Sequence, residues 1–164
     1  MNYAQIRKMD ISDGPGCRVS FFVQGCSFGC EGCFNKITWD FNGGTKFTEK
    51  TINQIIELAK PDYISGLSIL GGEPLHEKNR VGILLLIDEF KKAYPNKTIW
   101  LWTGYKFEDI KKYIILSPID VIVDGQFELA KFDPKLLYKG SSNQRVIDVK
   151  ATLKNKKNKI ILYK

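Results

Sequence analysis

The chain reads as an α/β domain whose parallel strands curve into a partial (open) β/α barrel, with outer helices and a small C-terminal β-hairpin. Three features lead there. Apolar runs rich in β-branched and aromatic residues alternate with segments whose apolar residues recur at helical spacing. Each of those runs ends in a glycine-rich or polar cluster, and that edge is where α/β sheets and barrels bind ligands. The chain has 164 residues, whereas a complete eight-unit barrel needs at least ~200. The barrel is therefore expected to stay open, its mouth free to accept something large.

The elements follow in order. Arg18–Gln24 is a continuous apolar run closed by Gly25, as expected of a strand buried on both faces. The segment Cys26 to Cys33 follows as a loop. Thr48 offers an N-cap, and Ile52, Ile55, Ile56 and Leu58 carry a helix to Lys60. A second strand, Gly66–Leu70, runs into Gly71, Gly72, Glu73 and Pro74. Val81–Tyr94 reads as a helix that Pro95 stops, since proline has no N–H to continue it. Thr98–Trp102 is a third strand, Phe107–Ile115 a short helix and Val121–Val123 a fourth strand before Asp124 and Gly125. Strands alternating with helices imply right-handed crossovers and a parallel sheet. Val149–Leu153 and Ile160–Tyr163 are expected to pair as the C-terminal hairpin, residues 149–164, of a single domain spanning residues 1–164.

Composition narrows the class. With 43% hydrophobic and 26% charged residues the chain has the make-up of an ordinary globular protein. No stretch approaches the ~20 apolar residues of a membrane span, and no charged-then-apolar leader opens the sequence, so a cytoplasmic protein is expected. The net charge of +7 suggests nucleic acid, but Lys150 to Lys164 holds six lysines and no acid. Without that segment, 19 basic residues face 18 acidic ones. The basicity belongs to one solvated turn, and no nucleic-acid partner is expected.

Cys26, Cys30 and Cys33 fall within eight residues, separated by Ser-Phe-Gly and Glu-Gly. Thiols at such spacing reach one inorganic centre from one loop, and Gly25, Gly29 and Gly32 allow the sharp turns this requires. A four-iron cubane held by three cysteines keeps one iron open, able to bind a small molecule and pass it an electron. Zinc is the competing metal. It wants four tetrahedral donors, and the fourth would have to be Cys17 or the single histidine, His76.

This spacing after the first strand of an α/β chain resembles the radical S-adenosylmethionine enzymes. Asp13-Gly-Pro-Gly16 followed by Arg18 resembles the N-terminal signature of activases that install glycyl radicals. Leu70-Gly-Gly-Glu-Pro74 is similar to the family's glycine-rich motif. Trp100-Leu-Trp-Thr-Gly-Tyr105, Val121-Ile-Val-Asp-Gly125 and Gly140-Ser-Ser-Asn-Gln-Arg145 resemble the subgroup that activates anaerobic ribonucleoside-triphosphate reductase.

The resemblance implies a [4Fe-4S] cluster ligated by Cys26, Cys30 and Cys33, with S-adenosylmethionine chelating the fourth iron. A flavodoxin-like protein would deliver one electron, splitting the sulfonium bond to a 5′-deoxyadenosyl radical. That radical would take hydrogen from a glycine of the partner reductase. Gly32, Cys33 and Phe34 would line the pocket, Phe34 near the adenine. Gly71 and Gly72 would let the backbone approach the methionine end, with Glu73 of the same motif in the cofactor-binding set. Thr103 and Asp124 would complete that set, although each also reads as a turn residue. Trp100, Trp102, Phe21 and Phe22 read as core, and His76 as a surface residue beside a helix. Leu70 stands where many relatives carry serine, Gln126 where some carry a basic residue, and Cys17 has no assigned role. The alternatives are another radical S-adenosylmethionine enzyme, either a different glycyl-radical activase or a small-molecule modifier, and a non-catalytic zinc-stabilised module.

Overall fold

The computed structural model describes residues 1–114, 118–157 and 159–164. The chain runs β1 (Asn2–Asp10), β2 (Cys17–Gln24), β3 (Thr45–Lys46), α1 (Glu49–Leu58), β4 (Ile64–Gly71), α2 (Glu77–Ala93), β5 (Thr98–Thr103), α3 (Phe107–Ile114), β6 (Val121–Asp124), β7 (Arg145–Asp148) and α4 (Val149–Lys154). Seven strands form one sheet in the order β3-β1-β2-β4-β5-β6-β7. The four strands expected from the sequence are its centre, and they run parallel, with Val19 beside Leu67, Leu67 beside Ile99 and Leu101 beside Ile122. α1, α2 and α3 make the connections between them.

Burial explains why these strands were readable. β2 is buried from Arg18 to Gln24, so nearly every side chain had to suit an interior. Ile52 and Ile55 of α1 and Ile83, Leu86, Ile87 and Phe90 of α2 pack with Phe21, Leu67, Ile69 and Leu101 in one core. α2 begins a turn earlier than expected: His76 caps it, Nδ1 accepting from the Lys78 amide at 3.2 Å, over residues with little apolar periodicity. Ile115, the expected last residue of α3, lies outside the described residues.

The edges depart from expectation. The sheet is mixed rather than wholly parallel, because β1, β3 and β7 join it antiparallel. β1 escaped the sequence reading for a physical reason. Register shifts between Tyr3 and Gln5, and between Arg7 and Asp10, break the two-residue alternation on which strand recognition rests. The sheet is open, with β3 and β7 as its edges.

The C-terminal hairpin needs correction. Val149–Lys154 is the helix α4, because Asp148 caps it by accepting from the Ala151 amide at 2.8 Å. The chain then returns alongside β7, Asp148 N–H donating to Ile161 and Tyr163 N–H to Val146, both at 2.9 Å. Ile160–Tyr163 thus runs along β7, and its link to residues 149–153 is through the Thr152 hydroxyl, which accepts from Ile161 N–H at 2.9 Å, rather than through a strand ladder. Among the described residues no helix is long and apolar enough to cross a membrane.

Arg18 organises the far end of the sheet. Its side chain is fully buried, with Nε donating to Ser68 Oγ at 2.7 Å and Nη2 to the Leu67 and Thr98 carbonyls at 2.9 Å. Asp13-Gly-Pro-Gly16 packs here, at the start of β2, a full strand length from Cys26.

Candidate functional site

Four loops meet at the C-terminal ends of the parallel strands: Cys26–Cys33 after β2, 71–75 after β4, 103–104 after β5 and 125–127 after β6. They border an open cavity of about 180 Å³. Cys26, Cys30, Cys33, Phe34, Gly71, Gly72, Glu73 and Thr103 all line it. Residues up to 77 positions apart in the chain are brought together because each follows a strand of the same parallel set.

Backbone clamps hold the cysteine loop. Gly25 N–H donates to Thr38 at 2.7 Å and Cys26 N–H to Trp39 at 3.0 Å, tying the loop to the short helical turn Lys36–Thr38. Gln24, nearly buried, reinforces this through Nε2 to the Asp40 carbonyl at 2.7 Å. The loop after β4 is joined directly to the same segment: Gly72 N–H donates to Val23 and Glu73 N–H to Gly25, both at 2.8 Å. The approach is so close that a Cβ on Gly72 would stand 2.6 Å from the Gly25 carbonyl oxygen. Gly29 and Gly32 have φ of +63° and +70°, the left-handed turns that wind the thiols around one another.

One residue of this junction was invisible in the sequence. Asn79 of α2, 1% exposed, directs Nδ2 at the carbonyls of Gln24 and Gly25 at 3.2 Å and of Glu73 at 3.0 Å. A lone asparagine within a helix carries no pattern that would have singled it out.

The donor chemistry fits an iron–sulfur cluster held at three corners. The thiols of Cys26, Cys30 and Cys33 are half-buried, and burial pushes those of Cys26 and Cys30 up, so metal binding must displace their protons. The Asn35 amide reaches Cys33 Sγ at 3.4 Å, the kind of N–H···S contact that steadies a thiolate. Among the described residues no three His, Cys, Asp or Glu side chains converge on a single-ion site. Neither proposed fourth zinc donor is at hand. Cys17 opens β2, roughly 25–30 Å of extended chain from Cys26, and His76 is engaged as the cap of α2, its ring 4.5 Å from that of Phe41.

Glu73 is buried, 1% exposed. Its Oε1 accepts from Thr103 Oγ1 at 2.7 Å and Leu75 N–H at 2.9 Å, and its Oε2 from Gly104 N–H at 2.7 Å. Burial pushes its carboxyl up to about 7, against the pull of these three donors. Glu73 and Thr103 are therefore partners, locking the β4 loop to the β5 loop.

The remaining expectations separate. Gly32 stands beside the cavity, where a Cβ would meet Leu129 at 2.8 Å. Asp124 does not line the cysteine cavity. It caps α3 through the Phe107 amide at 2.8 Å and pairs with Arg145, which also grips Glu108 at 2.8 Å. Phe34 is exposed on the cavity rim against Phe127 and Phe132, with ring centroids 5.2 and 5.6 Å away. Trp100 is core as expected, but Trp102 faces the cavity, its Nε1 donating to the Tyr138 carbonyl at 2.7 Å.

Comparison with known proteins agrees with the donor set. A family profile described as "4Fe-4S single cluster domain" matches residues 12–147. The anaerobic ribonucleoside-triphosphate reductase-activating protein of Enterobacteria phage T4 is 47% identical over 146 residues, covering 89% of this chain and 93% of the relative. The protein of the same name from Escherichia coli strain K12 is 43% identical over 150 residues, covering 89% and 97%. That of Pasteurella multocida is 42% identical over 150 residues, covering 88% and 95%. With its three thiols on one strand-edge cavity and this likeness over most of its length, the chain belongs to the family of anaerobic ribonucleoside-triphosphate reductase-activating proteins.

Proposed function

We propose that the chain is an iron–sulfur activase that cleaves S-adenosylmethionine reductively and generates the glycyl radical of anaerobic ribonucleoside-triphosphate reductase. The observation that carries this reading is the arrangement of Cys26, Cys30 and Cys33 on one cavity wall, with the glycine-rich β4 loop facing them. When bound, the cluster and S-adenosylmethionine supply a one-electron reduction that yields methionine and a 5′-deoxyadenosyl radical.

The protein's own part is to hold and orient the groups that meet in the site. Cys26, Cys30 and Cys33 would hold the cluster as thiolates. Gly71 and Gly72 line the cavity and seat the β4 loop against β2, where a Cβ would stand 2.8 Å from the Val23 main chain or 2.6 Å from the Gly25 oxygen. Their backbone is thus the surface offered to the methionine end of the cofactor. Glu73 fixes Thr103 and the Gly104 amide, so Thr103 stands at a set distance from the β4 loop. Phe34, with Phe127 and Phe132, forms an apolar aromatic cluster at the cavity rim, offering a face to the adenine of the cofactor. Gly32 keeps the turn tight beside that rim, and Asp124 acts through Arg145 and α3 as a positioning residue.

β2, β4, β5 and β6 serve as the wall of an open, partial barrel, and residues 1–164 make one radical S-adenosylmethionine domain. A flavodoxin-like donor and a cytoplasmic location belong to the same reading, supported by free thiols that need a reducing compartment.

The test is anaerobic reconstitution followed by reduction with S-adenosylmethionine, with and without the reductase. A brown protein with iron and acid-labile sulfide, forming 5′-deoxyadenosine and a glycyl signal in electron paramagnetic resonance, is expected. A colourless protein with stoichiometric zinc and no cleavage product would overturn the proposal.

A further inference from the structure

Each of the three thiols meets a backbone amide. For Cys26 and Cys33 the donor lies two residues on in the same stretch of chain: the Phe28 amide faces Cys26, and the Asn35 amide reaches Cys33 Sγ at 3.4 Å. Cys30 differs. Its sulfur is faced by the Phe127 amide, which belongs to the loop after β6. The Gln126 side chain of that loop stands beside it as well, Cys30 Sγ donating to Oε1 at 3.9 Å across 96 positions of chain.

The main chain of this loop is anchored. Gly125 N–H donates to the Tyr105 carbonyl at 3.1 Å, and the Gly125 carbonyl accepts from Gln144 Nε2 at 2.9 Å. The Gln126 carbonyl accepts from Asn143 Nδ2 at 2.8 Å. The Gln126 side chain, by contrast, is exposed on the cysteine cavity and makes no other hydrogen bond among the described residues.

The direction of the contact with Cys30 is that of a protonated thiol. A ligand of the cluster is a thiolate, which has no proton to give and accepts instead. The last torsion of a glutamine side chain is soft and roughly two-fold, so a half turn puts Nε2 where Oε1 stands, with no backbone shift. An N–H turned to a ligating sulfur favours the more negative state of the cluster, and one-electron reduction creates that state.

We propose that Gln126 is a positioning residue acting through Cys30: its Nε2–H donates to the cluster-bound Cys30 thiolate and raises the reduction potential of the cluster. This inference rests on the cluster of the function proposed above, and not on the radical chemistry assigned to it.

The experiment is a potentiometric titration of the anaerobically reconstituted protein, with the reduced cluster counted by electron paramagnetic resonance, for wild type, Gln126→Leu and Gln126→Ala. Both variants lose the donor. Leucine also shields the sulfur from water while alanine uncovers it, and water access by itself moves the two potentials in opposite directions. Loss of the hydrogen bond is expected to lower the reduced-to-oxidised ratio at fixed potential about three-fold in both, about 28 mV for a one-electron couple. Iron and sulfide per chain should match wild type, because Gln126 ligates nothing. An unchanged potential, or shifts of opposite sign, overturns the inference. If Gln126→Leu fails to fold or to take up iron, Gln126→Ala carries the test, since its added water pushes the potential the other way. A wild type that takes up no iron and sulfide sinks the proposed function together with this inference. A loaded wild type whose potential the variants share sinks this inference alone.

Discussion

Asn79→Ala tests whether the cysteine loop and the glycine-rich loop are held as one unit. The two Nδ2 protons are shared among three buried carbonyls, Gln24 and Gly25 at 3.2 Å and Glu73 at 3.0 Å. Alanine removes both donors. Two of those carbonyls keep another partner, since Gly25 also accepts from Glu73 N–H at 2.8 Å and Glu73 from His76 N–H at 3.3 Å. The full penalty of stranded acceptors is therefore not incurred. Two net hydrogen bonds at about 1 kcal/mol each, with a partial desolvation cost, give a loss of about 2–3 kcal/mol. For a chain of this length each kcal/mol shifts Tm by roughly 2–4 °C, so a drop of about 4–12 °C is expected. Circular dichroism melts of the cluster-free protein measure it. Iron per chain after reconstitution should fall as well, because the loop that carries the thiols loses its tether to α2. A Tm within about 2 °C of wild type, together with full iron occupancy, would refute the reasoning: the backbone clamps alone would then suffice.

The other predictions concern the same junction. Cys30→Ala should abolish formation of 5′-deoxyadenosine and lower iron content, and retained turnover would show that Cys30 is not an essential ligand. Gly72→Ala places a methyl 2.6 Å from the Gly25 oxygen, a backbone atom that cannot swing aside. A cost of about 1–3 kcal/mol and weaker cluster retention should follow, and a wild-type melt would contradict it. Glu73→Gln addresses pH. The carboxyl sits at about 7 in the folded state against a reference of 4.5, so folding takes up a proton between those values. Stability should accordingly fall by about 3 kcal/mol as pH rises from about 4.5 to 7. Urea midpoints of the cluster-free protein at pH 5 and 7 should differ more in wild type than in the glutamine variant. Equal differences would mean that Glu73 is not the group responsible.

What was legible in the sequence is the part governed by local or near-continuous signals. The four parallel strands announced themselves because strands buried on both faces leave no room for polar alternation, as β2 shows. Cys26, Cys30 and Cys33 were legible because metal ligation from one loop imposes a spacing. The glycines beside them were legible because left-handed turns exclude most side chains. β1 was hidden by its register shifts, and α4 by a cap, Asp148, that the hairpin reading overlooked.

The pairing of distant groups was not encoded in any local pattern. That Glu73 spends its carboxylate on Thr103 and Gly104, that Asn79 ties two loops, and that Asp124 faces Arg145 rather than the cysteines depend on how strands order themselves in the sheet. The sequence by itself determined the central strands and the three thiols, because spacing along a chain is a one-dimensional property. Only the tertiary structure decided which buried polar groups satisfy one another, because a hydrogen bond depends on distance through space, and residues 30 positions apart share that distance only once the sheet has formed.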